Sequence, residues 1–147
     1  MREFLILWGS FLLDQATKKW AEARLPLNHR VEIVRNRLYF WHIKNDGIAY
    51  NRFSGERKKI LLSTGTILGC YTALLLGRKR MGKGGTLPLA LILGGGWGNF
   101  LDRLRTGRVT DFLHIPVKGK NAPIFNLADV WVVLGALGLV IVSLREK

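Results

Sequence analysis

The sequence predicts a membrane-embedded α-helical protein, a bundle of four transmembrane helices that carries a small β-sheet at one end. Hydrophobic residues make up 48% of the 147 residues, and they lie in long uncharged blocks instead of alternating with polar residues. About 20 apolar residues in one block are enough to cross the hydrocarbon core of a bilayer. Between the blocks, two longer connections contain β-branched and aromatic runs that are typical of strands.

The hydrophobic blocks predict four helices, with approximate ranges 3–20, 59–77, 86–104 and 127–145. The second block has 18 uncharged residues from Ile60 to Gly77, which is long enough to span. The third and fourth blocks have uncharged runs of 16 and 15 residues, and they span only when their polar ends lie in the headgroup region or inside the protein. Four spans place both termini on one side, and we treat residues 1–147 as a single domain.

The first block has a second interpretation as a cleavable secretory signal, because Ala21-Glu22-Ala23 follows it as a possible cleavage site. Asp14, Lys18 and Lys19 lie between the apolar run and that site, where a cleavable signal is neutral. A retained first helix is therefore favoured, with Trp20 as an anchor at the level of the lipid headgroups.

The connections predict one small sheet and one tight turn. Residues 31–34 and 38–43 read as strands, and residues 110–115 read as another, closed by a turn through 116–121. Strand backbone at a membrane surface needs hydrogen-bond partners, so we expect the two connections to share a sheet. The short, basic and glycine-rich segment 78–85 predicts a tight turn between the second and third helices.

The formal net charge of +13 bears on the partners of the protein. In a soluble protein it would suggest nucleic acid, but here the basic residues lie between hydrophobic blocks and no nucleic-acid motif accompanies them. Membrane lipid with anionic headgroups is the expected partner, and nucleic acid is not. Seven of the 23 Lys and Arg residues lie on the side of the termini and 16 on the other side, which by the positive-inside rule puts the long connections in the cytoplasm. The rule is strongest for short loops, and the shortest loop is densely basic, so the count does not decide the orientation.

Cysteine and histidine provide no sign of a metal or disulfide. The single cysteine, Cys70, cannot form an internal disulfide and is expected to be a small buried apolar side chain. The three histidines, His29, His42 and His114, show no metal-ligand spacing, so we expect neither a metal nor a cofactor.

A few polar residues interrupt or border the apolar segments, and these are the candidate site residues: Asp14, Lys18, Asn45, Gly47, Asn99, Asp102, Arg103, Asp111, Asn126 and Asp129. Charged residues inside membrane segments are costly, and they usually face the bundle interior and serve a function. The third-helix residues at positions 99, 102 and 103 share one helical face, as do positions 126 and 129 at the start of the fourth helix.

Two carboxylates at a membrane boundary, Asp111 and Asp129, indicate acid–base chemistry. Peptide hydrolysis needs an activated water and a proton donor to the leaving amine. Two close carboxylates suffice, one ionised to take a proton from water and one protonated to polarise the carbonyl. Two close carboxylates share one proton and titrate as a unit. No serine has a histidine or lysine at a suggestive position. For Asp129 alone, the alternative is an acid favoured by the helix macrodipole.

The other polar residues are given supporting roles. Asn126 is positioned to orient one carboxylate. Asp102 is expected to be structural, with Arg103 and Asn99 as its partners. Asp14 and Lys18 are spaced for an i,i+4 ion pair, with substrate contact as the alternative. Asn45 is expected to position a substrate loop or to donate to the peptide, and the glycines at 94–96 to allow close helix packing.

Five motifs stand in order along the chain: Asp14-Gln15-x-x-Lys18, Asn45-Asp46-Gly47-Ile48-Ala49-Tyr50, Gly95-Gly96-Trp97-Gly98-Asn99-Phe100-Leu101-Asp102-Arg103, Gly107-x-Val109-x-Asp111-Phe112 and Phe125-Asn126-x-Ala128-Asp129. Over its whole length the chain resembles the lipoprotein signal peptidase (signal peptidase II) family, aspartic proteases of the bacterial inner membrane. The resemblance implies that Asp111 and Asp129 are the catalytic pair, and that the remaining candidate residues, with Ala128, bind substrate or support the site.

The resemblance also implies the setting and the reaction. The four helices would carry an extracytoplasmic β-sheet cradle, with cytoplasmic termini and the acids near the outer leaflet. The substrate would be a lipid-modified prolipoprotein, cut just before its diacylglyceryl-modified cysteine. Asp46, Ile48, Tyr50 and Asn51 depart from the usual motif, which bears on signal-peptide preference. A non-catalytic relative that binds lipoprotein signal peptides or lipid is the alternative, and a proton-relay transporter is disfavoured because the acids cluster at one boundary.

Overall fold

The computed structural model describes residues 1–47, 53, 55–77, 84–117 and 122–145. The elements in order are α1 (Arg2–Arg24), β1 (Arg30–Val34), β2 (Leu38–Asn45), α2 (Arg57–Leu76), α3 (Thr86–Thr106), β3 (Val109–His114), β4 (Ile124–Phe125) and α4 (Leu127–Arg145). All four predicted helices are present, and α1 continues about one turn beyond the predicted end at residue 20. The predicted basic turn (78–83) and the turn at 118–121 lie outside the described residues.

Helix α3 is the centre of the bundle and packs against α1, α2 and α4. Three consecutive glycines make this possible, because successive helical residues point about 100° apart and each glycine meets a different neighbour. Gly94 lies against Leu7 and Ser10 of α1, Gly95 against Ala128 of α4, and Gly96 against Leu68 of α2. A Cβ atom on any of the three would collide with that neighbour, so the predicted close packing at these glycines is confirmed.

The four strands form one antiparallel sheet in the order β1-β2-β3-β4, which confirms the shared sheet predicted for the two connections; β4 was not predicted. The sheet is seated on the C-terminal half of α1. Trp20 makes edge-to-face contacts with Phe40 of β2 and Phe112 of β3, with ring centroids 5.1 and 6.3 Å apart. Lys44 of β2 forms an ion pair with Glu22 of α1. The sheet therefore covers the end of the bundle where α1 and α3 end and where α2 and α4 begin.

The bundle buries charged side chains beside an apolar core, and its outer surface is apolar. Asp14 and Lys18 are 0% and 3% exposed, whereas large apolar side chains on every helix are more than a third exposed. Examples from the four helices are Leu5, Trp8, Leu12, Leu62, Ile67, Leu87, Leu104, Val133, Leu137 and Val140. By length and composition, α2 and α4 are able to cross a membrane; α1 and α3, which carry most of the buried charge, do not meet that criterion in the described part of the chain.

Cys70 is exposed on α2, so the expectation of a buried side chain is wrong. Helix α2 is peripheral and buries only Ile60, Leu68 and Leu75 against the rest of the bundle. An apolar sequence alone does not show which of its residues face the protein, because in a membrane protein the lipid-facing side is apolar as well.

Candidate active site

Asp111 lies on β3 beside the bundle and is 3% exposed. Two side-chain amides hold it: Asn126 Nδ2 donates to Oδ1 at 2.7 Å, and Asn45 Nδ2 donates to Oδ2 at 3.1 Å. Burial raises the pKa of Asp111 to about 6, and the nearby charge of Asp129 acts in the same direction. Asp129 therefore lies close enough to Asp111 for its negative charge to disfavour ionisation of Asp111, as the acid-pair hypothesis requires.

Asp129 lies in the first turn of α4 and forms a reciprocal cap with Asn126. The Asn126 backbone N–H donates to Asp129 Oδ2 at 3.1 Å, and the Asp129 backbone N–H donates to Asn126 Oδ1 at 3.1 Å. This is the arrangement of a capping box, with Asn and Asp in the two capping positions. The second carboxylate oxygen of Asp129 accepts from Asn99 Nδ2 at 2.9 Å. The macrodipole alternative and the acid-pair hypothesis are thus compatible. The Asp129 carboxylate caps its helix by accepting from Asn126, and Asn126 also donates to Asp111.

Asn126 joins the two acids. It is fully buried, and its side-chain amide donates both to Asp111 and to Asn99 Oδ1, the latter at 3.1 Å. Its side-chain oxygen accepts from Asp129 as described above, so every polar group of the amide is occupied. The sequence-based prediction placed Asn126 beside one carboxylate, and the structure places it in contact with both aspartates.

Lys18 connects three of the buried polar side chains. Its Nζ lies 2.9 Å from Asp14 Oδ2, 2.9 Å from Asp102 Oδ2 and 2.8 Å from Asn99 Oδ1. The predicted i,i+4 ion pair with Asp14 is confirmed, and the three contacts use all three ammonium donors. Because Asn99 Oδ1 accepts from Lys18, its Nδ2 is turned towards Asp129. The chain of contacts thus runs from α1 through α3 to the acid on α4.

Asp14 ties α1 to the beginning of α4. Its Oδ1 accepts from the backbone N–H of Ala128 at 2.9 Å, one of the helix-terminal donors that have no partner within the helix. Ala128 is fully buried against Gly95, so only a small side chain fits there. This gives the predicted supporting residues Asp14 and Ala128 a geometric place beside the acids.

Asp102 does not pair with Arg103, so that part of the sequence-based prediction is wrong. Asp102 is held by Lys18 and by Gln15 Nε2, which donates to its Oδ1 at 3.0 Å. Adjacent helical residues point about 100° apart, so Arg103 faces elsewhere. Sequence reasoning assigned no role to Gln15; the available signal was an uncharged polar residue beside Asp14 in an apolar helix.

Arg103 is buried and reaches the end of β2. It donates to the backbone oxygen of Gly47 at 2.7 Å and to that of Asn99 at 3.3 Å. The Gly47 backbone N–H in turn donates to Asn45 Oδ1 at 3.0 Å. Two predicted residues at the start of the substrate loop are thereby fixed to the acid site, while loop residues 48–52 lie outside the described part of the chain.

A cleft of about 570 Å³ lies between α3, α4 and the sheet, and its polar lining residues are Asn45, Asn99, Arg103, Asp111, Asn126 and Asp129. The acids and amides lie at one end of the cleft. The rest is apolar, with Ile124, Phe125, Val130, Val133 and Leu134 among its lining residues. The described residues contain no group of three or more His, Cys, Asp or Glu side chains placed to hold a metal ion.

A helical bundle with an apolar exterior, and a cleft that holds one buried acid and one partly buried acid, defines a membrane protein with the constituents of an acid–base site. Comparison with known protein families identifies the family to which the chain belongs. The profile of the family described as Signal peptidase (SPase) II matches residues 6–145, and the chain belongs to this family. It is therefore a peptidase by family.

Two curated relatives share the name lipoprotein signal peptidase. The protein of Lactococcus lactis subsp. cremoris (strain SK11) is 35% identical over 144 residues, covering 97% of this chain and 93% of the relative. The protein of Clostridium novyi (strain NT) is 32% identical over 145 residues, covering 98% of both chains. A solved structure described as a bacterial membrane enzyme superimposes with a TM-score of 0.89 at 26% identity, covering 99% of this chain and 88% of that chain.

Proposed function

We propose that the protein is a membrane-embedded aspartic endopeptidase. Its substrates are diacylglyceryl-modified prolipoproteins, and it removes the signal peptide by cutting just before the lipidated cysteine. The observation that carries the aspartic mechanism is the bridging of Asp111 and Asp129 by Asn126 in one cleft. The substrate follows from membership of the signal peptidase II family and from relatives named lipoprotein signal peptidase.

The reaction divides the work between the two carboxyl groups. The pair carries one shared proton, because two adjacent carboxylates do not both ionise cheaply. The ionised carboxylate takes a proton from a water molecule as the water oxygen attacks the scissile carbonyl carbon. The protonated carboxyl group donates its proton to the carbonyl oxygen. The tetrahedral intermediate then breaks its C–N bond, and the departing cysteine nitrogen takes up a proton from the pair. Neither a metal ion nor a protein nucleophile takes part.

The supporting residues hold this geometry before the substrate arrives. Asn45 and Asn126 orient Asp111, while Asn99 and the helix cap orient Asp129. Hydrogen-bond donors placed in advance at developing charge are a large source of catalytic power. The apolar remainder of the cleft suits the hydrophobic end of a signal peptide or the acyl chains of the modified cysteine.

All four helices span the membrane in this proposal. Helices α1 and α3 fail a simple composition test because they carry the charged side chains that pack against each other in the interior. Their outward residues, such as Leu12 and Leu104, are apolar and more than half exposed. A helix with its charges turned inward presents the same surface to lipid as an uncharged one.

The acids are recessed from the end of the bundle. Asp14 meets the start of α4 ten residues before α1 ends at Arg24, a rise of about 15 Å along the helix. We propose that the termini are cytoplasmic in the bacterial inner membrane and that the acids lie near the outer leaflet, with the sheet as an extracytoplasmic cradle. Residues 1–147 act as one domain.

The test is cleavage of a lipidated prolipoprotein by carboxylate variants reconstituted in detergent or nanodiscs. Asp111→Asn and Asp129→Asn each remove one member of the proton-sharing pair, and we expect cleavage to fall by at least about 10³-fold, in line with the loss of a general acid–base group. Glu56→Gln is the matched control, since Glu56 is a partly exposed acid that lies outside the cleft and pairs with Lys59. Full turnover by the Asp111→Asn protein, with folding verified by thermal unfolding, would exclude the aspartic mechanism.

The non-catalytic alternative is not favoured. Its prediction is binding of lipidated peptide without release of a new N-terminal cysteine, and the same reconstituted assay measures both quantities. The family match and the intact acid pair with its occupied hydrogen bonds support the enzyme instead.

A further inference from the structure

The segment formed by β1, the residues before it and the turn that leads into β2 is a surface that the proposed reaction does not use. Every residue from 26 to 37 is exposed. Large apolar side chains are among them, with Leu27, Ile33 and Val34 each close to half exposed. We define this segment, residues 26–37, as the edge hairpin, since β1 is an outer strand of the sheet.

The edge hairpin is also strongly basic. It carries Arg30, Arg35 and Arg37 against a single acid, Glu32. In the described part of the chain, no carboxylate forms an ion pair with any of these three arginines. Glu32 is engaged elsewhere, because its Oε1 accepts from the Asn36 backbone N–H at 2.8 Å and from the Tyr39 hydroxyl at 3.1 Å. The three guanidinium groups are therefore available to an outside anion.

The hairpin is held in shape without an outside partner. The Arg37 backbone N–H donates to the Val34 oxygen at 2.9 Å, which closes the turn, and Asn36 takes the left-handed conformation with φ of 56° that asparagine tolerates. The Glu32 contacts described above fasten this turn to the strands. A preformed surface loses less conformational entropy when it binds than a flexible one does.

The edge hairpin is joined to the end of α1 by aromatic side chains of the kind that concentrate at a membrane surface. Trp20, near the end of α1, packs on Phe40 of β2, and the hairpin extends outward from that point. Arg30 stacks on the Tyr39 ring with its guanidinium carbon 3.5 Å from the ring centroid, and Trp41 lies 5.8 Å away. Tryptophan and tyrosine concentrate at the membrane–water interface because their rings are amphipathic. These aromatic residues are the observation that favours a headgroup position for the outer strand.

We propose that the edge hairpin docks on the anionic phospholipid headgroups of the membrane that holds the helices. Arg30, Arg35 and Arg37 contact the phosphates, and Ile33 and Val34 enter the boundary of the acyl chains. Exposed apolar side chains beside unpaired basic ones are the combination that binds an anionic interface. Docking steadies β2, which through its pairing with β3 and through Asn45 holds Asp111 in place.

A spin label at the hairpin tip measures this contact directly. The label is placed at Val34→Cys in a Cys70→Ala background, and the protein is reconstituted in nanodiscs of phosphatidylglycerol or of phosphatidylcholine. Oxygen, which partitions into lipid, and a nickel chelate, which stays in water, then compete to relax the label. We expect the tip to be oxygen-accessible in phosphatidylglycerol and to shift towards nickel accessibility in phosphatidylcholine.

Two double variants, one inside and one outside the edge hairpin, test whether its arginines hold the tip at the membrane. Each basic residue near an anionic surface contributes about a fivefold preference, so Arg35→Gln with Arg37→Gln lowers the docked-to-free ratio about 30-fold. Arg105→Gln with Arg108→Gln removes the same charge from exposed positions at the same end of the bundle and leaves the tip docked. Equal effects of the two double variants overturn the proposal, as does a tip in wild-type protein that is equally water-accessible in both lipids. Protection of the tip only after lipidated substrate is added would instead identify the substrate as the occupant.

The inference rests on the proposed membrane embedding and not on proteolysis. A second label at Leu137→Cys, an exposed position on α4, reports oxygen accessibility in both lipids if the bundle is embedded. A water-accessible label at that position would reject the embedding itself, so the two failures are distinguishable.

Discussion

Asp111 has a raised pKa because it lies in a buried place where its hydrogen bonds only partly offset the cost of ionisation. Burial is the largest cause and the charge of Asp129 the next, while donation by Asn45 and Asn126 acts in the opposite direction. With a pKa of about 6, Asp111 is poised to hold the shared proton below that pH and to lose it above. We therefore expect the alkaline limb of the cleavage profile to lie near pH 6, with the rate falling as the pH rises through that value.

Removal of the Asn45 donor shifts this limb in a predictable direction. Asn45 stabilises the ionised form of Asp111, so Asn45→Ala raises the pKa of Asp111 further, and the proton is retained to a higher pH. We expect the alkaline limb to move up by about one pH unit, the equivalent of one hydrogen bond to a charged group. The measurement is kcat/KM for cleavage as a function of pH, between about pH 4 and 9, for the wild-type protein and the variant.

A lower overall rate without a shift of the limb would mean that Asn45 contacts the peptide and does not tune Asp111. Glu56→Gln, outside the cleft, serves as the control and is expected to leave both the rate and the limb unchanged.

At the scale of elements, the start of α4 is positioned by two neighbours. Asp14 of α1 accepts from the backbone of Ala128, and Asn99 of α3 accepts from Lys18 and donates to Asp129. The geometry of the site therefore depends on helix packing, because a displacement of α1, α3 or α4 moves Asp129.

Lys18 is the residue whose loss affects this arrangement most. Lys18→Met leaves the carboxylates of Asp14 and Asp102 buried without their cation, and breaking one side of a buried ion pair costs about 3–5 kcal/mol. We expect the midpoint of thermal unfolding in detergent to fall by about 10 °C for a chain of this size. Lys19→Met, at the exposed neighbouring position, is the control. An unchanged midpoint for the Lys18 variant would show that Lys18 does not stabilise the fold.

Gly95→Ala tests the approach of α3 to α4. The added Cβ lies 3.1 Å from the backbone carbon of Ala128 and 3.2 Å from the Cβ of Trp131, so the helices have to separate. We expect a destabilisation of about 1–3 kcal/mol and a loss of kcat that approaches 10²-fold, because Asp129 follows Ala128 directly. Gly69→Ala on α2 has no atom within 4 Å of the new Cβ and should leave both quantities near wild type. Equal behaviour of the two variants would contradict the packing argument.

At the scale of the whole molecule, the distribution of basic residues and the proposed topology disagree. By sequence, 16 of the 23 Lys and Arg residues lie away from the termini and the 78–85 segment, on the side that the proposal places outside the cytoplasm. Docking of the edge hairpin on anionic lipid supplies a reason for basic residues on that side. Arg57 has a local role as well, since its guanidinium donates to the Leu104 oxygen at the end of α3.

Cysteine accessibility decides the orientation. In a Cys70→Ala background, Arg108→Cys marks the sheet end and Arg2→Cys marks the end with the termini. We expect a membrane-impermeant maleimide to label position 108 in intact cells and position 2 only after lysis. The reverse pattern would place the sheet in the cytoplasm and overturn the proposed topology.

Sequence patterns alone were enough to predict the four helices, three of the four strands and the ion pair of Asp14 with Lys18. These depend on local quantities, namely the length of uncharged runs, the enrichment of β-branched residues and the spacing of side chains within one helix. The motif resemblance likewise singled out Asp111 and Asp129 before any contact was known. Whether the two act as the catalytic pair stays a prediction until the variants are measured.

Only the tertiary structure decided which polar groups meet across helices. Asp102 is adjacent to Arg103 in sequence yet binds Lys18 of α1, and Asn126 reaches both Asp111 and Asp129. Helical periodicity relates residues of one helix and is silent about the rotation of that helix against its neighbours. In this protein each of the three consecutive glycines of α3 admits a different helix to close approach, and this packing brings polar side chains of separate helices into contact.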